Sequence, residues 1–243
     1  MSDAKALTFI GHLDELRRRL LRSLIAIAIA IAISFAFREY ILDVLLIPAP
    51  ASVGDQVQAI GMTEMIGTYM KVSLASGIVL TMPYLVYNLI MFVSPALTRK
   101  EKRYVYLMLP LITLMFLGGV AFCYFILLPP VTNFLLNFGG NQVNIQPRIG
   151  DYVSTVTRLI LAMGAVFEMP VIILFLARIG VVTSNWLARK RKFAIVGGFV
   201  LAAIITPTFD PVNQTLVAAP LIVLYEMSIW LAKLVQRPRS EFD

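Results

Sequence analysis

A chain of 243 residues in which 59% are hydrophobic and only 14% charged is not a soluble globular domain, and its net charge of +7 has to be read by position. One cysteine, Cys123, and one histidine, His12, exclude a disulfide framework and a Cys/His metal site within the chain. Several runs approach the roughly 20 apolar residues that a helix needs to cross a bilayer, which points to an all-α polytopic membrane protein.

The first element is HLDELRRRL, residues 12–20, where Asp14 meets Arg18 and Glu15 meets Arg19 at helical i, i+4 spacing. Such pairs contribute only about 0.2 to 0.5 kcal/mol each when exposed. Leu13, Leu16, Leu20 and Leu24 form an opposing stripe, so the segment is expected to lie at the interface before turning into the membrane. The first apolar span follows near 22–38. Its LIAIAIAIAI alternates like a strand, but both residue types are apolar and an open strand leaves backbone groups unpaired in hydrocarbon, so a helix is expected. Ser34 and Ala36 suit the small-residue positions of a signal-peptide cleavage site, but the hydrophilic stretch before the run is long and carries Asp3, Asp14 and Glu15. An uncleaved anchor fits better.

Further spans are expected near 70–92, 104–129, 153–177, 193–207 and 213–232, making six within a single membrane domain, 1–243. The connection 39–69 contains YILDVLLIP, which suits an amphipathic interfacial helix. Pro83, Pro110, Pro170 and Pro220 fall within four of the spans, each favouring a bend, so the packing should be curved. Cys123 reads as buried packing. The fifth run, FAIVGGFVLAAIITP, covers only roughly 22 Å of a 30 Å hydrocarbon core. It requires a thinner bilayer or a longer helix with Lys190 to Lys192 snorkelling at its end.

Of the 21 lysines and arginines, 17 lie in the N-terminal segment, the second and fourth connections and the tail. Only Arg38, Lys71, Arg148 and Arg158 fall on the opposite side. The excess places both termini in the cytoplasm and 233–243 as a cytoplasmic tail.

Polar residues inside the spans carry the functional questions. Glu168 is the only charge between Arg158 and Arg178, and an unpaired, lipid-facing carboxylate is too costly there. It either hydrogen-bonds in protonated form within the bundle or contacts a ligand or cargo; Gly164 and Ala165, one turn earlier, permit close approach of another helix or of solvent. Glu226 shares one face of the last span with Thr215, Ala219 and Ile222. TPTFDPVNQT gathers Thr206, Asp210, Asn213 and Gln214 before that span. Asp210 or Asn213 suits a helix cap, and Gln214 suits hydrogen bonding to a partner helix.

In order and spacing, HLDELRRRL, YMKVSL, PYLVYNLIMFVSPALTRKEKR, FLGGVAFCYFILLP, FEMPVIILFLARIG, RKFAIVGGFVLAAIITP and LYEMSIWL resemble the TatC family, the central subunit of the twin-arginine protein translocase. The turn TPTFDP is longer than the family's usual Thr-Pro-Pro-Asp pattern. The resemblance implies a multi-pass protein of the bacterial cytoplasmic membrane that receives folded cargo bearing twin-arginine signal peptides, and that works as a homo-oligomer within a larger complex. It implies a receptor site at Glu15 and Glu101, with Arg17 and Arg19 keeping the acids ionised and shaping approach. It also implies that Glu168 faces a membrane-embedded concavity, and that Thr206, Asp210 and Gln214 lie where single-span TatA and TatB type partners dock. Energy is expected from the proton-motive force; no nucleotide-binding G-x-x-x-x-G-K-[ST] loop is present. No enzyme activity, cofactor, metal or nucleic-acid partner is expected. The alternative is a proton-coupled secondary transporter of a small solute using Glu168, a class that commonly carries internal repeats, and none is found between residues 1–103 and 104–243.

Overall fold

The computed structural model describes residues 2–48, 57–93, 99–137, 147–178, 180–206 and 210–235, with the side chains of 2–10, 12, 90–91, 93, 99–108 and 136–137 outside the description. Ten α-helices are described: α1 (Ser2–Ala36), α2 (Arg38–Leu46), α3 (Glu64–Val93), α4 (Arg99–Phe122), α5 (Leu128–Asn137), α6 (Ile149–Phe167), α7 (Met169–Arg178), α8 (Ser184–Arg189), α9 (Arg191–Ile205) and α10 (Pro211–Val235). A π-helical turn, Cys123–Leu127, joins α4 to α5. No strand occurs among the described residues, where the one bridge is between Gln58 and Arg148. The protein is an all-α polytopic membrane protein. Five helical stretches are long and apolar enough to cross a membrane: Leu13–Ala36, Glu64–Leu89, Leu109–Leu135, Ile149–Arg178 and Pro211–Val235. The remaining apolar run forms α9, with 15 residues.

The helices differ from the sequence expectation in three places. The N-terminal segment does not lie flat and then turn: α1 is one helix of 35 residues, because nothing between Ser2 and Ala36 interrupts the hydrogen-bond ladder and the i, i+4 ion pairs reinforce it. The third apolar span passes through the π turn directly before Pro129 and Pro130. Neither proline can donate a backbone hydrogen bond, and the π turn just before them, where the Leu128 amide bonds the Cys123 carbonyl, is where the ladder shifts register. The fourth span breaks at Glu168, between α6 and α7, where Pro170 offers no N–H to the preceding turn.

In hydrocarbon, apolar surface gains nothing by leaving lipid for protein, so close approach decides helix packing. The most extensive interface is between α1 and α3. A Cβ on Gly77 would stand 2.9 Å from the Ile31 backbone nitrogen, so only glycine allows this crossing. Between α4 and α6, a Cβ on Gly164 would stand 2.6 Å from Phe116 Cε2. The core formed by Val72, Cys123, Leu128, Val153, Val156, Leu159, Met163 and Val217 joins α3, the π turn, α5, α6 and α10. Several hydroxyls within the spans are satisfied locally: Ser73 donates to the Tyr69 carbonyl at 2.7 Å, Thr157 to Val153 at 2.6 Å and Ser228 to Leu224 at 2.6 Å.

On the side opposite the N-terminal segment, α2 is tied to the bundle through its final carbonyls. Tyr124 Oη donates to the Val44 carbonyl at 2.6 Å and Tyr152 Oη to that of Leu45 at 3.1 Å. Glu64 fastens the connections together. Its Oε2 accepts from the Ile60 and Gly61 amides at 2.9 and 3.0 Å, its Oε1 accepts from the Gly150 amide at 3.2 Å, and Arg148 lies 3.5 Å away.

Candidate functional site

Helical spacing in the N-terminal half of α1 builds the first candidate. Arg18 pairs with Asp14, its Nε donating to Oδ2 at 2.9 Å. Arg19 grips Glu15, with Nε and Nη2 donating to Oε1 at 3.0 and 2.6 Å. Glu15 is about a third exposed, at 31%, and Arg17 is exposed, so the acid is paired with the Arg19 guanidinium and still reachable from solvent. Glu101 lies in the first turn of α4, and its side chain is outside the described residues.

Beside Arg19, a groove of about 280 Å³ runs between α1 and α3, walled by Leu16, Leu20, Leu24, Leu85 and Phe92. Asn88 borders it, and its Nδ2 is buried without an acceptor among the described residues. Sequence reasoning did not single out Asn88. A buried amide inside a span is itself a signal, because its donors have nothing to bond in lipid.

Glu168 is 7% exposed, and its Oε1 is buried with no hydrogen-bond partner among the described residues. It stands at the helix break one turn beyond Gly164, whose bare backbone is taken up by Phe116 of α4. Glu226 is placed differently. Arg191 at the start of α9 holds it with two parallel contacts, Nε to Oε1 at 2.8 Å and Nη2 to Oε2 at 2.9 Å.

A second candidate surrounds the turn between α9 and α10. Asp210 is the cap: its Oδ1 accepts from the Asn213 amide at 2.7 Å and its Oδ2 from Asn213 Nδ2 at 3.1 Å. Thr206 is buried and donates to the Ala202 carbonyl at 2.8 Å. Gln214 Nε2 donates to the Phe199 carbonyl at 2.9 Å, so its amide bonds a neighbouring helix of this chain. Thr206 and Gln214 border an open groove of about 720 Å³ that Val196, Phe199, Val200 and Ile204 make apolar and that Arg158 flanks.

The chain matches the family described as Sec-independent protein translocase protein (TatC) over residues 11–220. It is 42% identical over 223 residues to a Sec-independent protein translocase protein TatC of Desulforapulum autotrophicum, covering 91% of this chain and 82% of the relative. It is 40% identical to that of Aquifex aeolicus, covering 96% of this chain and 97% of the relative. A crystal structure of the twin-arginine translocase receptor TatC superposes with a TM-score of 0.83 at 40% identity, over 93% of this chain and 100% of that one.

Proposed function

The chain belongs to the TatC family of Sec-independent protein translocase proteins, and from that premise we propose that it is the core receptor subunit of a twin-arginine translocase. It recognises twin-arginine signal peptides at the cytoplasmic face and, with single-span partners, passes folded proteins across the membrane on the proton-motive force. The observation that carries this reading is the superposition on a twin-arginine translocase receptor over 93% of the chain at 40% identity. Co-purification with a folded fusion bearing an Arg-Arg signal peptide, against its Lys-Lys version, tests it. Retention of the Arg-Arg fusion alone is expected, and equal retention of both overturns the reading.

Glu15 and Glu101 are the acids that receive the two guanidinium groups. For Glu15, the supporting observation is a partly exposed carboxylate that already binds a guanidinium, that of Arg19 on the same helix. Arg19 holds Glu15 with two charge-assisted hydrogen bonds, so an incoming guanidinium exchanges one such contact for another at Glu15 and gains its surplus at the second acid, Glu101. Arg17 is exposed beside the pair and steers approach. Both termini lie on this cytoplasmic side, as the distribution of lysine and arginine favours.

The open groove along α9 is the docking face for a single-span partner of the TatA or TatB type. Thr206 and Gln214 are polar points on an apolar wall, and a short helix leaves bilayer depth for a partner to fill. Because Gln214 already bonds Phe199, a partner helix meets an amide fixed in orientation. Replacing Gln214 by leucine is expected to loosen partner co-purification while the protein still folds; undiminished co-purification refutes the docking role.

A further inference from the structure

Lys71 belongs to neither site above and Arg158 only flanks the α9 groove, yet both stand in the membrane half opposite the N-terminal segment and share a different groove. Lys71 is seven residues past the start of α3 and Arg158 nine past the start of α6, depths of about 10 and 13 Å at the helical rise. They border one groove of about 570 Å³ between α1, α3 and α6. Lys71 Nζ donates to Ser154 Oγ at 2.6 Å and to the Gly150 carbonyl at 3.3 Å, which holds the ammonium at the groove wall. Arg158 is exposed and makes no hydrogen bond or ion pair among the described residues.

No carboxylate lines the groove among the described residues. Glu64, the nearest acid along α3, already accepts three backbone amides, and Asp151 borders a separate cavity with Thr132 and Leu135. An arginine inside a span costs roughly 2.5 to 3.5 kcal/mol on insertion scales unless it snorkels or finds an anion, and the lysine and arginine stems reach toward the headgroups. Apart from Ser154 and Thr157, whose hydroxyls bond backbone carbonyls of their own helix, the rest of the groove is apolar, with Ile31, Leu74, Ala75 and Leu161 beside the two cations.

We propose that this groove binds an anionic phospholipid of the leaflet opposite the N-terminal segment. Its phosphodiester sits between Lys71 and Arg158, and one acyl chain lies along Ile31, Leu74 and Leu161. Two features choose the lipid over a free phosphate ion and over a zwitterionic lipid. The apolar wall offers a free ion nothing, and two cations facing one phosphate leave no place for a headgroup ammonium. The guanidinium supplies a two-pronged contact to phosphate oxygens and Lys71 a point charge. The site is separate from the receptor acids, Glu15 preceding the first span and Glu101 following the second; it shares only Arg158 with the α9 groove.

The test uses the full chain in nanodiscs containing phosphatidylglycerol with a photoreactive group in its acyl chain, followed by mass-spectrometric mapping of the adducts. Adducts are expected on residues 70–75 and 154–161, competed by unlabelled phosphatidylglycerol but not by phosphatidylcholine or glycerol 3-phosphate. Arg158→Gln, which breaks no bond within the described protein, should reduce them about fivefold, and Arg158→Lys should restore most of the yield. Adducts elsewhere on the chain should not change. Unaltered labelling at these positions in Arg158→Gln, equal competition by phosphatidylcholine, or equal competition by glycerol 3-phosphate each overturns the proposal.

Discussion

At Glu15 the carboxylate already holds a guanidinium, that of Arg19, through two donors on Oε1. The i, i+4 spacing made this pair legible in the sequence, as it did for Asp14 and Arg18, because both partners sit on one rigid helix. If Arg19 is a displaceable shield, Arg19→Gln should leave crosslinking to an Arg-Arg signal peptide at or above wild type, while Glu15→Gln should reduce it about tenfold or more. Equal losses in the two variants would make the pair structural. Gln214 was less legible: its side chain suits a partner helix by type, but its acceptor, the Phe199 carbonyl, lies 15 residues away on another helix. Nor did sequence decide whether Asp210 or Asn213 caps α10, since both types are good caps; the fold gives the role to Asp210 and buries Asn213 completely.

Among the elements, composition located the apolar runs, but it did not show where a run is interrupted. The π turn and the break at Glu168 both stand next to prolines, yet Pro83, Pro110 and Pro220 lie inside continuous helices. Whether a proline interrupts a helix depends on how neighbouring helices accommodate the carbonyl it leaves without a donor. Helix contact through glycine follows the same logic. Gly77→Ala should destabilise the protein by about 1 to 3 kcal/mol, because the added Cβ would stand 2.9 Å from the backbone of Ile31, which cannot rotate aside. Gly67→Ala meets nothing within 4 Å and should be neutral or slightly stabilising, so thermal unfolding of the two variants in detergent separates crowding from helix propensity.

For the whole molecule, one acid ties two connections together on the side opposite the N-terminal segment. Glu64 joins the stretch before α3 to the start of α6 through the Ile60, Gly61 and Gly150 amides and Arg148. Its side chain is only 11% exposed, so the bonds are shielded from water. Glu64→Ala should cost about 2 to 3 kcal/mol and accelerate hydrogen exchange at those three amides without changing exchange in the α8–α9 region. Unchanged exchange at Gly150 would show that the Gln58 and Arg148 bridge holds the connections by itself.

The sequence by itself determined that this chain is a helical membrane protein and located its apolar runs, five of which form helices long and apolar enough to cross a membrane. Those properties are sums over local composition, set by the cost of placing backbone and charged groups in lipid. Only the tertiary structure decided which carbonyl Gln214 bonds, that Glu168 is buried with an unpartnered oxygen, and that Lys71 and Arg158 border one groove. Each depends on the register of one helix against another. That register is fixed by close van der Waals approach at positions such as Gly77 and Gly164, and a pattern of hydrophobicity carries no record of it.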